Sequence, residues 1–358
     1  MVELKVVVLQ GDGIGPEVVE GAMLVLNRVS RVFKIKFKFI KGLIGGAAID
    51  KKKTPLPAET LSLCRENGVV LLGAVGGPKW DGLKGAARPE SGLLEIRKRL
   101  DLFANIRPAK IFKPLVNAST IKESVLKNVD FIVLRELSSG IYYGKPRGIK
   151  KSKSGLLAFN TMSYDEKTIS RIAEVAFQMA IERSKKVTSV DKANVLECSQ
   201  LWRRTVENIH KKYSEVKLEH MYIDNCAMQM IRNPGQFDII LTSNLFGDIL
   251  SDEAAMITGS IGMLASASLG KKASLYEPVH GSAPDIAGKN IANPLATILS
   301  TAMMLRYSFK NNNVASRIEL AVEKVLESGY RTADIFSGAG KLVGTDKMAA
   351  LVGDNINQ

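Results

Sequence analysis

Residues 10–17 read QGDGIGPE, set between the strand-like run LKVVVLQ and an amphipathic stretch that continues to Phe33. A glycine-rich turn that leaves a strand and opens a helix invites assignment as a dinucleotide fingerprint. The spacing does not fit. Gly11 and Gly13 match the first two glycines of that pattern, but Pro16 stands where the third belongs. No acidic residue closes a second strand at the expected distance. The turn is therefore read as the first strand–helix junction of an α/β fold and not as a Rossmann site. Its glycines still permit close backbone approach, so it can line a nucleotide site of another kind. Pro16 suits the first turn of the next helix.

Outward from this junction, strand-like and helix-like segments alternate. Ile35, Phe37 and Phe39 alternate with lysines, as in a half-buried strand. Apolar runs near Val69, Asp130 and Asp238 read as further strands, and 166–182, 200–211 and 295–307 as helices. Such alternation indicates an α/β architecture. The stretch GKPRGIKKSKSG, 144–155, lies between apolar runs and reads as a hairpin or extended arm. A chain of 358 residues exceeds the commonest domain size, so two lobes are expected.

Composition narrows the function classes. No apolar run reaches the ~18 residues that span a bilayer. The N-terminal run lacks the basic–apolar–small pattern of a signal peptide. The three cysteines, Cys64, Cys198 and Cys226, are scattered and odd in number, which argues against a disulfide framework. A cytoplasmic protein without a membrane partner is expected. The net charge of +14 comes from short, scattered lysine clusters with no nucleic-acid reader motif. It is read as solvated surface that attracts small anions, with no nucleic-acid partner.

Two constellations carry chemistry. In NLFGDILSDEAA, 244–255, Asp248 and Asp252 stand four apart, so on a helix their carboxylates share a face. Like charges there repel; a hard divalent cation such as Mg²⁺ or Mn²⁺ reverses the sign. Two solvated acids on an exposed helix are the plain alternative. Arg97, Arg107 and Arg135 lie in or beside strand-like runs. Guanidinium forks grip carboxylates in bidentate fashion, so the three together suit a dicarboxylate, whereas any one of them alone reads first as solvated surface.

The runs LQGDGIGPEV, LLGAVGGPKW, GLLEIRKRLDLFANIRP, LRELSSGIYYG, SVDKANVL, YIDNCAMQMI, NLFGDILSDEAA and EPVHGSAPDIAGKNIANP occur in that order. Together they resemble the β-decarboxylating dehydrogenases of the isocitrate/isopropylmalate dehydrogenase family, from about residue 9 to 304. The resemblance implies two α/β lobes around an active-site cleft. Lobe one would take 1–102 and 259–358, with the termini and the cofactor; lobe two would take 103–258, with the metal-binding aspartates and the dimer interface. It further implies a homodimer whose active sites draw residues from both subunits.

Site roles come from the same resemblance. Arg97, Arg107 and Arg135 correspond to substrate-carboxylate clamps. Asp248 and Asp252 correspond to metal ligands, joined by Asp224 of the partner subunit, which also meets the substrate. Tyr142, rather than Tyr143, and Lys192 correspond to the acid–base pair. Ile14 and Glu90 fall on the nicotinamide side, and Gly76 is a further cofactor contact. His280, Gly281, Ser282, Ala283 and Asn293 frame the adenosine, with Asp285 and Ile286 beside them.

The implied chemistry explains the residue types. Oxidising an alcohol removes a proton and a hydride, and a cation stabilises the alkoxide. A lysine near a metal and arginines can be driven towards its neutral form and act as base. Once CO₂ departs, the enolate is protonated on carbon, a task for Tyr142 as general acid. Substrate choice is read before Arg97. Isocitrate-using relatives place a serine and an asparagine there, whereas this chain has Gly92, Leu93 and Leu94. Leucines cannot hydrogen-bond a third carboxylate but can pack a branched alkyl group, gaining about 0.8 kcal/mol per buried CH₂. Val195 would complete that pocket. A 3-isopropylmalate substrate is expected, with another 3-substituted malate or tartrate as the alternative. Asp285 and Ile286 replace the lysine–tyrosine pair of NADP-using relatives, so NAD is expected: an aspartate accepts from ribose hydroxyls and repels a 2′-phosphate. Asn290 stands where glycine is usual, a position that asparagine tolerates at positive φ.

Overall fold

The computed structural model describes residues 3–357. Along the chain, β1 (Glu3–Gly11), α1 (Gly15–Phe33), β2 (Lys36–Gly42), α2 (Gly45–Lys52), α3 (Ala58–Asn67), β3 (Val69–Ala74) and α4 (Pro89–Arg99) come first. Next are β4 (Ala104–Lys110), α5 (Glu123–Leu126), β5 (Asp130–Glu136), β6 (Gly148–Ser152), β7 (Gly155–Phe159), α6 (Glu166–Ile181), β8 (Lys186–Asp191), α7 (Glu197–His210), β9 (Lys217–Tyr222), α8 (Ile223–Arg232), β10 (Ile239–Thr242) and α9 (Asn244–Thr258). The last part holds β11 (Ala265–Leu269), β12 (Ser274–Pro278), α10 (Leu295–Tyr307), α11 (Asn312–Glu327), β13 (Tyr330–Arg331), β14 (Lys341–Leu342) and α12 (Thr345–Asp354).

The chain divides into two compact units. The first takes everything through Leu102, Ile111–Glu123 and everything from Ala255; the second takes Phe103–Lys110 and Ser124–Ala254. Ile111–Glu123 groups with the first unit, where the buried Arg331 donates from Nη2 to the Pro114 carbonyl at 2.7 Å.

In the first unit the strand order is β2-β1-β3-β12-β11, parallel throughout except that β11 runs antiparallel to β12. Val6, Val7, Val8 and Leu9 of β1 are fully buried, the continuous apolar run of a parallel strand covered on both faces. α1 buries Val18, Ala22, Val25 and Val29, the one-sided stripe of an amphipathic helix, and ends at Lys34 in the left-handed region. α10 is buried at every position from Leu295 to Leu305, so it forms the centre of the unit rather than a cover. The stretch after α10 holds α11, α12 and the parallel pair β13–β14.

In the second unit the order is β4-β5-β10-β8-β9, with β5, β10, β8 and β9 parallel and β4 antiparallel to β5. β6 and β7 form a separate antiparallel hairpin, as the glycine- and lysine-rich stretch suggests. Ile149 and Leu156 of this hairpin are exposed.

Parallel strands place all their carboxyl ends on one edge, and ligands of such sheets bind beyond that edge. In the first unit that edge carries the turns after β1, β3 and β12. The glycines of QGDGIGPE serve these turns. A Cβ on Gly11 would meet the Ala74 carbonyl oxygen at 1.8 Å, and one on Gly13 would meet that of Ser282 at 2.0 Å. The space that a Rossmann loop leaves for pyrophosphate is filled here by the protein's own backbone. Gly13 also has φ +59, so Gly13→Ala combines a clash with a strained conformation. Chemical denaturation should show that variant destabilised by about 1–3 kcal/mol; unchanged stability would mean that the turns are not locked together.

Candidate active site

In the second unit the carboxyl edge collects Arg135, Tyr142, Lys192, Asp224, Asp248 and Asp252. Arg135 ends β5 and is almost wholly buried. Its Nη1 donates to Asp248 Oδ1 at 2.6 Å, and Nε and Nη2 donate to Asn244 Oδ1 at 3.0 and 2.7 Å. Tyr142 comes after β5, and its hydroxyl donates to Asp248 Oδ2 at 2.7 Å. The Arg135 guanidinium lies 5.7 Å from the centre of the Tyr142 ring. Arg107 comes from the antiparallel β4. Its Nε donates to Asn105 Oδ1 at 2.6 Å and its Nη1 to Ser251 Oγ at 2.5 Å. The same Nη1 lies 3.6 Å from Asp248 and 3.9 Å from Asp252. Arg107, Arg135, Tyr142, Asp248 and Asp252 thus form one cluster around α9.

Lys192 and Asp224 form a separate pair. Lys192 comes after β8, Asp224 lies in the first turn of α8, and Nζ donates to Asp224 Oδ1 at 2.8 Å. That contact holds the exposed Asp224 carboxyl below the usual range. Val195, after Lys192, is exposed.

The electrostatics separate the roles. Burial first, and then the hydrogen bond to Asp248, push the Tyr142 phenol up to about 12, so it stays protonated. Asp252 keeps 62% of its side-chain surface exposed. Even so, the surrounding protein raises its carboxyl first by displacing water and then by the nearness of Asp248, against the pull of Arg107. Two aspartates on one helix face, one of them raised partly by the other, form an all-oxygen donor pair suited to Mg²⁺ or Mn²⁺. Among the described residues, no group of three acidic, histidine or cysteine side chains within the chain could hold a metal. Further ligands would have to be substrate, water or another copy.

In the first unit, Arg97 is buried in the last turn of α4 and pairs with the equally buried Glu277 at 2.6 Å. Leu93 and Leu94, one turn earlier, are half-buried. Ile14 is buried against Val18 and Ala292, with Ala283 and Ile286 beside it, and donates its N–H to the Ser282 carbonyl at 2.8 Å. Glu90 is exposed at the start of α4 and reaches over Gly76. His280 is buried; its Nδ1 meets the Gly281 carbonyl at 2.9 Å, and its Nε2 has no hydrogen-bond partner. Burial lowers its imidazole, so it is neutral at ordinary pH. Ala283 sits at φ 37 on the turn before Pro284, a strained conformation for a residue with a Cβ. Gly281 and Asp285 are exposed. The Asn293 side chain donates to Asp334 at 2.9 Å and accepts from the Leu295 N–H, so only its backbone remains to meet a ligand. Asn290 has φ 56, the positive value expected.

The sequence profile described as isocitrate/isopropylmalate dehydrogenase matches residues 5–352. The chain belongs to that family. It is a family of oxidoreductases, and the chain has its fold. A 3-isopropylmalate dehydrogenase of Aquifex aeolicus is 56% identical over 358 residues, covering 100% of this chain and 98% of that protein. Another protein of that name, from Wolinella succinogenes, is 55% identical over 98% of each chain. Among solved structures, an isocitrate dehydrogenase from Methylococcus capsulatus superimposes with a TM-score of 0.88 at 35% identity, covering 99% of both chains.

Several residues that hold these arginines in place escape sequence reasoning. Glu277 lies within EPVHG, yet nothing in the sequence ties it to Arg97, 180 positions away. Asn105 and Ser251 orient Arg107, and Asn244 orients Arg135; only β4–β5 pairing and the start of α9 bring them together. Asn105 does sit two residues before Arg107, the same-face spacing of a strand, which is a signal that could have been read.

The raised Tyr142 value has a testable sign. A phenol that holds its proton more tightly when folded contributes stability below its ordinary value of about 10 and loses it as pH rises towards 12. An ultraviolet difference titration of the protein against Tyr142→Phe should show no phenolate from this residue at about pH 10.5. Half-ionisation near the ordinary value would show that Tyr142 does not donate to Asp248.

Proposed function

We propose that the protein catalyses the NAD- and divalent-metal-dependent oxidative decarboxylation of 3-isopropylmalate to 4-methyl-2-oxopentanoate and CO₂, a step of leucine biosynthesis in the cytoplasm. The observation that carries this reading is the Arg107–Arg135–Tyr142–Asp248 cluster, in which carboxylate grips, a protonated phenol and metal-type aspartates converge. The relatives above, similar over their full length, bear the corresponding name.

Asp248 and Asp252 would hold Mg²⁺ or Mn²⁺, and the turns after β1, β3 and β12, with Glu90 of α4, would hold NAD. When bound, these groups stabilise negative charge on substrate oxygens and accept the hydride. The chain's own residues do the rest. Arg97, Arg107 and Arg135 bind the two carboxylates, so a substrate carboxylate takes over the guanidinium contact that Asp248 supplies to Arg135. Lys192 Nζ takes the hydroxyl proton. The Tyr142 hydroxyl, protonated throughout the working range, delivers a proton to carbon after CO₂ leaves. Leu93 and Leu94 pack the isopropyl group and disfavour a third carboxylate, which selects this substrate over isocitrate.

We infer that the active unit is a homodimer with shared sites. On α8, Asp224, Met228 and Ile231 keep helical spacing, and on α9 so do Ile249, Asp252 and Met256. Met228, Ile231, Ile249 and Met256 are all exposed. Each candidate ligand thus lies on an exposed apolar helix face, the composition of a protein interface. Covering those faces with a second copy would bring the partner's Asp224, with its Lys192, to the Asp248–Asp252 pair.

Purified protein should form NADH from 3-isopropylmalate with NAD and Mg²⁺ or Mn²⁺, and stop when a chelator is added. Turnover of isocitrate should be lower by about 10²-fold or more. Lys192→Ala should lower kcat by about 10²–10⁴-fold without loss of folding. Strong activity on tartrate or another malate, with none on 3-isopropylmalate, would replace the substrate; no NADH from any of them would sink the reading. Sedimentation should find a dimer that Met228→Glu weakens; a monomer with full activity would refute the shared site.

A further inference from the structure

Asp12 is buried within QGDGIGPE, and its carboxylate is spent on backbone N–H groups. Oδ2 accepts from Gly46 at 2.7 Å and from Gly76 at 2.8 Å, and Oδ1 accepts from Ala47 at 2.7 Å. These donors belong to two separate places: the first turn of α2 and the turn after β3. α2 has no cap of its own, since Ile44 precedes it and its first turn carries no acid. A carboxylate at a helix N-terminus satisfies donors that the helix leaves open, and here it comes from a turn more than thirty residues earlier. Burial pushes the Asp12 carboxyl up and the three N–H groups pull it down, burial being the larger effect.

The contacts extend to the residues read as the dinucleotide site. Gly76 has φ +107, and a Cβ there would meet Glu90 Oε1 at 2.6 Å, so the position of Gly76 sets how closely the Glu90 carboxylate lies over the turn. The Asp12 N–H donates to the Ala74 carbonyl at 2.8 Å. Two residues on, Ile14 donates to Ser282. The Asp12 turn therefore grips both other turns on the carboxyl edge of the first unit's sheet, and its side chain alone fixes Gly76.

We propose that Asp12 is a positioning residue for the nicotinamide end of the dinucleotide: its carboxylate holds the Gly76 turn, and through it Glu90, in the geometry that NAD requires. This rests on the reading of these turns as the NAD site. The effect is selective, because the hydroxy acid is gripped by arginines that Asp12 does not touch. Asp12→Asn keeps the shape but replaces one accepting oxygen with a donor that faces backbone N–H groups. It should raise KM for NAD and weaken NADH binding by about tenfold or more, while KM for 3-isopropylmalate moves by less than about twofold. Asp12→Glu, which keeps the charge but shifts it by one methylene, should not restore binding.

The test is a fluorescence titration with NADH, joined to steady-state kinetics and a thermal melt of each variant. If the wild-type protein fails to bind NADH, the reading of the site falls. If it binds and folded Asp12→Asn binds equally well, or raises both KM values alike, the positioning role falls. Should Asp12→Asn not fold, Asp12→Ser, whose smaller hydroxyl loses most of these contacts without adding bulk, is titrated in its place. A selective loss of NADH affinity in that variant supports the proposal, and unchanged affinity overturns it.

Discussion

A parallel strand delivers the residues after it to one edge of its sheet, and this constraint organises both units. Arg135, Tyr142, Lys192 and Asp224 leave β5, β8 and β9 at their carboxyl ends, and Asp248 and Asp252 ride the helix after β10. Ile14, Gly76 and His280 leave β1, β3 and β12 in the same sense. Arg107 is the exception, set within the antiparallel β4 and aimed at α9 by Asn105 and Ser251. The strand interiors are buried hydrocarbon with little chemistry, so the polar groups that cannot be buried inside the sheet converge at its end.

Charge compensation governs what that edge can do. A buried guanidinium must spend its N–H groups on acceptors, and Arg135 finds a charged one in Asp248, whose other oxygen takes the Tyr142 hydroxyl. Under the proposed function, a substrate carboxylate would replace the aspartate on the arginine and leave it free for a cation. Lys192 and Asp224 compensate each other similarly, beside exposed methionine and isoleucine on α8.

Much of this was legible in the chain. The α/β alternation and the shared face of Asp248 and Asp252 reflect periodicity of two or 3.6 residues, which local sterics impose, while the hairpin after Gly144 follows from its glycine-rich composition. Pro16 in place of a third glycine was enough to exclude a Rossmann turn, and the turn proves to be filled by backbone from β3 and the 282 loop. The place of Ile111–Glu123 was not legible. It rests on tertiary contacts such as that of Arg331, more than two hundred residues later, whose buried guanidinium donates to the Pro114 carbonyl as well as to those of Leu326 and Tyr330.

The sequence by itself determined most element types and the family, because these rest on local spacing and on an ordered set of motifs, and it named the candidate side chains. Only the tertiary structure decided which groups share a charge: Arg97 with Glu277, Arg135 with Asp248, and Asp12 with backbone from two other turns. The reason is physical. A buried charge needs a partner within about 3 Å, and the partner's distance along the chain plays no part in that requirement. Spacing rules therefore reveal the groups, while strand order and the loops that connect them settle the pairs.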